Sequence, residues 1–169
     1  MFFQGDTAAT MHELNITSCL ATSISGGSGG GIYMLATSFL SVTDGFLAHN
    51  NATRGGALNL LESSAVTLSH TTLRENFAVI GGAISLSYHA EALLKQRSDL
   101  HANQALREGG AIFADNHATI TLERTLLREN QVTEAGLGGA ISVRDDVILR
   151  ASDTLFQVSD SLLSSPLGD

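Results

Sequence analysis

Residues 81–86 read Gly81-Gly82-Ala83-Ile84-Ser85-Leu86: two glycines, one small residue, then apolar side chains at every second position. That last alternation is the period of a strand, because successive strand side chains point to opposite faces. The same stretch recurs as Gly29-Gly30-Gly31-Ile32, Gly55-Gly56-Ala57-Leu58, Gly109-Gly110-Ala111-Ile112 and Gly138-Gly139-Ala140-Ile141. Successive first glycines lie 26, 26, 28 and 29 residues apart. A short signature repeated at a nearly fixed period marks a solenoid, in which each repeat buries its apolar face only against its neighbours.

A second marker keeps step. Leu47-Ala48-His49-Asn50, Leu73-Arg74-Glu75-Asn76, Leu100-His101-Ala102-Asn103 and Leu127-Arg128-Glu129-Asn130 share the form Leu-x-x-Asn. Toward the ends the marker degrades, with Leu20-Ala21-Thr22-Ser23 and Phe156-Gln157-Val158-Ser159 carrying Ser in place of Asn. Between the two markers lies another alternation, Leu40 and Val42, Val66 and Leu68, Ile120 and Leu122, Val147 and Leu149. Three short strands per repeat with no hairpin signal predict a coil whose turns pair in parallel, about 4.8 Å apart. The leucine-rich horseshoe lacks support, since its Leu-x-x-Leu-x-Leu pattern is absent. The expected fold is all-β: a right-handed parallel β-helix of about five to six coils, one domain spanning 1–169 with repeats starting near 29, 55, 81, 109 and 138.

Each marker has a physical task in such a coil. Glycine takes a left-handed corner without a Cβ clash. The Ile or Leu that follows points inward and stacks on its counterpart one coil away. The asparagines are predicted to form one buried column, each amide both donating and accepting along the stack.

Composition bounds the function. The net charge is -8 and the single lysine is Lys95, so no polybasic segment is present to hold nucleic acid or an anionic membrane. Cys19 is the only cysteine, which excludes an intrachain disulfide and a cysteine-based zinc cage. No uninterrupted apolar run reaches the roughly 18 residues of a membrane-spanning helix. Residues 1–6 lack the basic and apolar regions of a secretion signal.

The two markers together resemble the repeats of the chlamydial polymorphic outer membrane proteins, which carry Gly-Gly-Ala-Ile/Leu/Val and Phe-x-x-Asn tetrapeptides in an exported β-helical passenger. The similarity covers roughly residues 20 to 160. Leu stands at 47, 73, 100 and 127 where that family has Phe, and Phe156 restores the aromatic. The resemblance implies a non-enzymatic, adhesin-like module at the cell surface or outer membrane. It also implies an extracellular or host protein or glycan as partner and an autotransporter-like longer chain of which this is a fragment. The alternatives are a fragment of a polysaccharide lyase or glycoside hydrolase, or a structural spacer.

Chemistry-bearing residues were sought against that background. Asp145-Asp146 is the only adjacent acidic pair; it could supply acid and base for glycoside cleavage, and its plain reading is a solvated turn. Counted eight residues on from each first glycine, Thr37, Ser63, His89, His117 and Asp146 should fall in one column. Imidazole and carboxylate together could ligate a divalent metal, which makes His89, His117 and Asp146 the candidate ligands; the plain alternative is a polar bend. Asp115, Asn116 and Asp145 flank them. No catalytic residue and no cofactor are assigned. Before Leu14 no amphipathic period is legible, and neither end offers a cap, so end-to-end self-association or a fraying last coil is expected.

Overall fold

A computed structural model describes residues 1–21, 29–134 and 136–157. The protein is a parallel β-solenoid of about five turns, with every strand pair parallel and no helix among the described residues. Its first sheet orders Phe2–Gln4, Ile32–Leu35, Leu58–Leu61, Ile84–Ser87, Ile112–Ala114 and Ile141–Val143 along the axis. A second stacks Ala8–His12, Phe39–Thr43, Ala65–Ser69, Glu91–Lys95, Thr119–Glu123 and Ile148–Ser152, and a third runs from Asn15–Thr17 to Leu155–Gln157.

The sequence predicts three strands per turn; the structure has four. The extra sheet is short, formed by Asn51–Arg54, Phe77–Ile80, Gln104–Glu108 and Gln131–Val132 in the arm between each asparagine and the next glycine pair. That arm is where repeat length varies, so its strands carry no common apolar spacing. Gln104–Glu108 has one residue more than Phe77–Ile80, absorbed at an irregularity in the ladder. One further residue enters at the Gln96–Arg97 corner.

The core is the inward column of each sheet. Ile32, Leu58, Ile84 and Ile112 are fully buried and directly paired, and Ile141 packs partly buried against them. The two glycines of the corner have different reasons to be glycine. Gly81 sits at φ +65°, where a side chain is strained. Gly82 is held by proximity: a Cβ there would lie 2.1 Å from the carbonyl oxygen of Gly110 in the next coil.

The asparagine column is present. The Nδ2 groups of Asn50, Asn76 and Asn103 each donate to the Oδ1 of the next asparagine at 3.0 Å. Each of those Oδ1 atoms also accepts the backbone N–H of the preceding asparagine. The remaining Nδ2 proton goes to a backbone carbonyl of the coil before, such as Leu47 for Asn76.

Two expectations for the N-terminal end are corrected. Ile16 pairs with Leu47, so Ile16-Thr17-Ser18-Cys19 is the first copy of the second marker, not Leu20-Ala21-Thr22-Ser23. Cys19 stands in the asparagine column, and its backbone N–H donates to Asn50 Oδ1 at 3.0 Å. The segment before Leu14 is also a coil in its own right: Ala9 and Met11 pair with Leu40 and Val42 and face the core. Its period is hidden in sequence because small Ala9 carries half of the inward face. Residues 22–23 and Ser159 lie outside the described residues.

Candidate functional site

The corner between the first and second sheets is built from Ser87-Tyr88-His89-Ala90, Asp115-Asn116-His117-Ala118 and their equivalents. It takes two successive left-handed residues, Tyr88 and His89 at φ 58° and 65°, Asn116 and His117 at 52° and 63°, Asp145 and Asp146 at 57° and 60°. Because the extra residues of the longer repeats enter after this corner, its register survives. The His89 ring stacks on that of His117, centroids 5.2 Å apart and planes 13° from parallel. The His117 Nδ1 lies 4.0 Å from Asp146 Oδ2. The structure thus brings the three candidate ligands into one ladder. No group of three His, Cys, Asp or Glu that could hold a metal ion occurs among the described residues. Asp145 is an exposed turn residue, as its plain reading had it.

A different cluster forms on the outer face of the first sheet. Outward residues there make two columns. One runs Tyr33, Asn59, Ser85, Phe113 and Ser142. The neighbouring column contains Leu61, Ser87, Asp115 and Arg144; Ser87 pairs with Leu61, and the N–H of Asp115 donates to the Leu86 carbonyl. The fourth-sheet arm folds beside this face and turns it into a concave corner. Phe113 is fully buried although it points outward. Two guanidinium groups cover it, those of Arg54 at 5.6 Å and Arg144 at 4.9 Å from the ring centroid. Such contacts are favourable because the ring face is negative. Glu108, on the arm, fixes Arg144 by a 2.8 Å ion pair. Burial, with Glu62 as a lesser cause, pushes the Tyr33 hydroxyl above its ordinary pKa at the far end of the column.

Beside Phe113 the concave face deepens into a recess of about 220 Å³ lined by Arg54, Asn59, Leu61, Ser87, Tyr88 and Asp115. Asp115 is 9 % exposed and its Oδ1 is buried without a hydrogen-bond partner; the hydroxyl of Ser87 at 2 % is in the same condition. Tyr88, by contrast, stands 56 % exposed at the edge. In sequence Asp115 is legible only as a flank of the histidine column, and nothing there joins Arg54, Tyr88 and Phe113 into a group. The available signal was Tyr88, one of two tyrosines, placed where the equivalent residues of the other coils are Ala36, Glu62, Asn116 and Asp145.

Two other surfaces were compared with it. A larger concavity of about 620 Å³ follows the corner between the second and third sheets, lined by His70, Gln96, Arg97, Arg124, Leu126 and Asp153. Its polar groups are all solvated, so it has nothing recessed to complete. On the third sheet, charges pair between coils: Arg128 bonds Asp99 through Nε at 3.2 Å and Nη2 at 2.6 Å, and His101 meets Glu129 at 3.1 Å. The Asp99 bond raises the Arg128 pKa. Pairs as exposed as His101–Glu129 add little to stability, yet they fix a ridge of known charge order along the axis.

In comparisons with known proteins, no family model, curated protein or solved structure matches this chain.

Proposed function

We propose that this protein is a non-enzymatic, adhesin-like binding module that recognises a protein or glycan outside the cell, as one segment of a longer surface-exposed chain. One observation carries the reading. On a surface otherwise built from repeated ladders, the recess at Arg54, Ser87, Tyr88 and Asp115 collects a carboxylate, a hydroxyl, a guanidinium and an aromatic ring on one concavity. A buried acceptor without a partner costs about 1–3 kcal/mol. Asp115 lines that concavity with one carboxylate oxygen buried and unpartnered, where other repeats place Leu61, Ser87 or Arg144, so the coil itself does not call for a carboxylate there. The export component rests on the likeness of the Gly-Gly-Ala-Ile and Leu-x-x-Asn repeats to those of exported passengers, and is an analogy of fold and repeat.

The scaffold suits that task. A solenoid holds its side faces rigid over many coils and offers extended contact surfaces. A pure spacer needs the same rigidity but no recess. The experiment is to display the soluble chain against an immobilised glycan array and a panel of extracellular-matrix proteins. Saturable binding to at least one class is expected. Absence of binding to both, by a chain whose circular dichroism shows intact β-structure, leaves the spacer.

A further inference from the structure

We propose that the Tyr88–Asp115 recess is a subsite for one neutral, hexose-sized sugar ring of a glycan, with Tyr88 stacking on its C–H face and Asp115 and Arg54 bonding its hydroxyls. The inference rests on the binding reading above and names the ligand class of that same site.

Size decides first. Pockets for drug-sized ligands run to about 300–1,000 Å³, and stable protein partners cover about 1,200–2,000 Å² of combined surface. A recess of about 220 Å³ is below both scales and fits a single ring. Charge decides next. Arg54 and Asp115 face the recess with opposite signs, and the neighbouring Arg144 is neutralised by Glu108. The local charges cancel, so neither an anionic nor a cationic ligand is favoured. What remains is a ligand rich in groups that both donate and accept. A carboxylate only accepts and a guanidinium only donates, whereas a sugar hydroxyl does both and can satisfy either wall. An aromatic ring at the edge adds an apolar face for the ring carbons.

The backbone gives an independent argument. Tyr88 sits at φ 58°, a conformation that bulky side chains rarely adopt and that Asn, Asp and Gly tolerate. Its equivalents are Ala36 and Glu62 in the two coils before and Asn116 and Asp145 in the two after, all at left-handed φ, and Tyr88 is the bulkiest of the five. A tyrosine there opposes the local backbone preference. Residues held against such preference cluster at ligand sites, and the exposed ring makes no aromatic contact that would compensate.

That conflict supplies the test. Tyr88→Asn should raise the urea midpoint of unfolding while lowering affinity for a neutral oligosaccharide at least tenfold, measured by calorimetry on the strongest neutral binder from the glycan array. Asp115→Asn, which keeps the shape and removes the charge, should weaken the same binding several-fold. Thr121→Ala on the second sheet should leave it within twofold. Three results overturn the proposal: a glycan bound equally by wild type and both site variants, binding confined to uronate- or sialate-bearing glycans, or a module that binds matrix proteins and no glycan. The last two leave the broader binding reading standing, and binding to nothing ends both.

Discussion

Replacing Asn76 by alanine strikes the interior of the one polar column in an otherwise apolar core. The side chain makes four bonds: Nδ2 donates to Leu47 O and Asn103 Oδ1, and Oδ1 accepts Asn50 N and Asn50 Nδ2, all at 3.0 Å. Truncation does not strand every partner. Asn103 Oδ1 keeps the backbone N–H of residue 76 at 3.1 Å, and Asn50 Nδ2 keeps the carbonyl of Ile16 at 3.1 Å. The Asn50 backbone N–H loses its side-chain acceptor, and the Leu47 carbonyl loses its side-chain donor, both where water does not reach.

A stranded buried group costs about 1–3 kcal/mol, and each lost net hydrogen bond about 0.5–1.5 kcal/mol. With two groups stranded the sum for Asn76→Ala is about 2–6 kcal/mol, a large share of the roughly 5–15 kcal/mol that holds a domain folded. With a urea slope of about 1–3 kcal/mol/M, the midpoint should fall by about 1–2 M. Asn130 makes similar bonds but is partly exposed, so water can replace its amide; Asn130→Ala should cost clearly less. Urea titrations followed by circular dichroism at constant slope measure both. An unmoved midpoint for Asn76→Ala, or equal losses at 76 and 130, would refute the view that burial of a linked amide column stabilises the stack.

Gly82→Ala drives a Cβ to within 2.1 Å of one backbone oxygen and 2.6 Å of another, so it should cost more than about 4 kcal/mol or abolish cooperative unfolding. Gly5→Ala, with φ +72° and open space around it, should cost only the left-handed penalty of about 1–2 kcal/mol by the same titration. Cys19→Asn adds an amide at the start of the column beside Asn50 Oδ1 and should stabilise by about 0.5–1.5 kcal/mol.

The coil was legible from sequence because its demands recur at every turn. Gly55, Gly81 and Gly109 meet the same left-handed corner, and Asn50, Asn76 and Asn103 the same linked amide. Repetition converts a weak local signal into a periodic one. The N-terminal coil was missed because its copy of the second marker is degenerate: Cys19 stands in the asparagine column. The fourth sheet was missed because its length changes between coils. The histidine column was legible by counting from the glycines. Counting cannot say how rings orient, and here His89 and His117 stack. The recess was hidden for another reason. Arg54 and Phe113 are far apart in sequence and belong to different coils, so only the stacking places the guanidinium over the ring.

Inside and outside the coil obey different rules, and that difference locates the information on this molecule. An inward position is enclosed by its equivalents above and below, so an unlike side chain leaves a void or a clash; Leu58, Ile84 and Ile112 accordingly keep one shape. An outward position has solvent to relax into, and neighbours need not match. Asn59, Ser85 and Phe113 share one outward column, and Leu61, Ser87 and Asp115 fall in the next, with nothing in common but place. Departure from the repeat there is free of packing cost. It becomes informative only where it also works against the scaffold, as Tyr88 does against its backbone and Asp115 does with its unpartnered oxygen. Both departures meet at one recess. A bulky side chain held against its own backbone preference and a buried oxygen left without a partner each work against the coil, and a contact at that surface is what gives both a use.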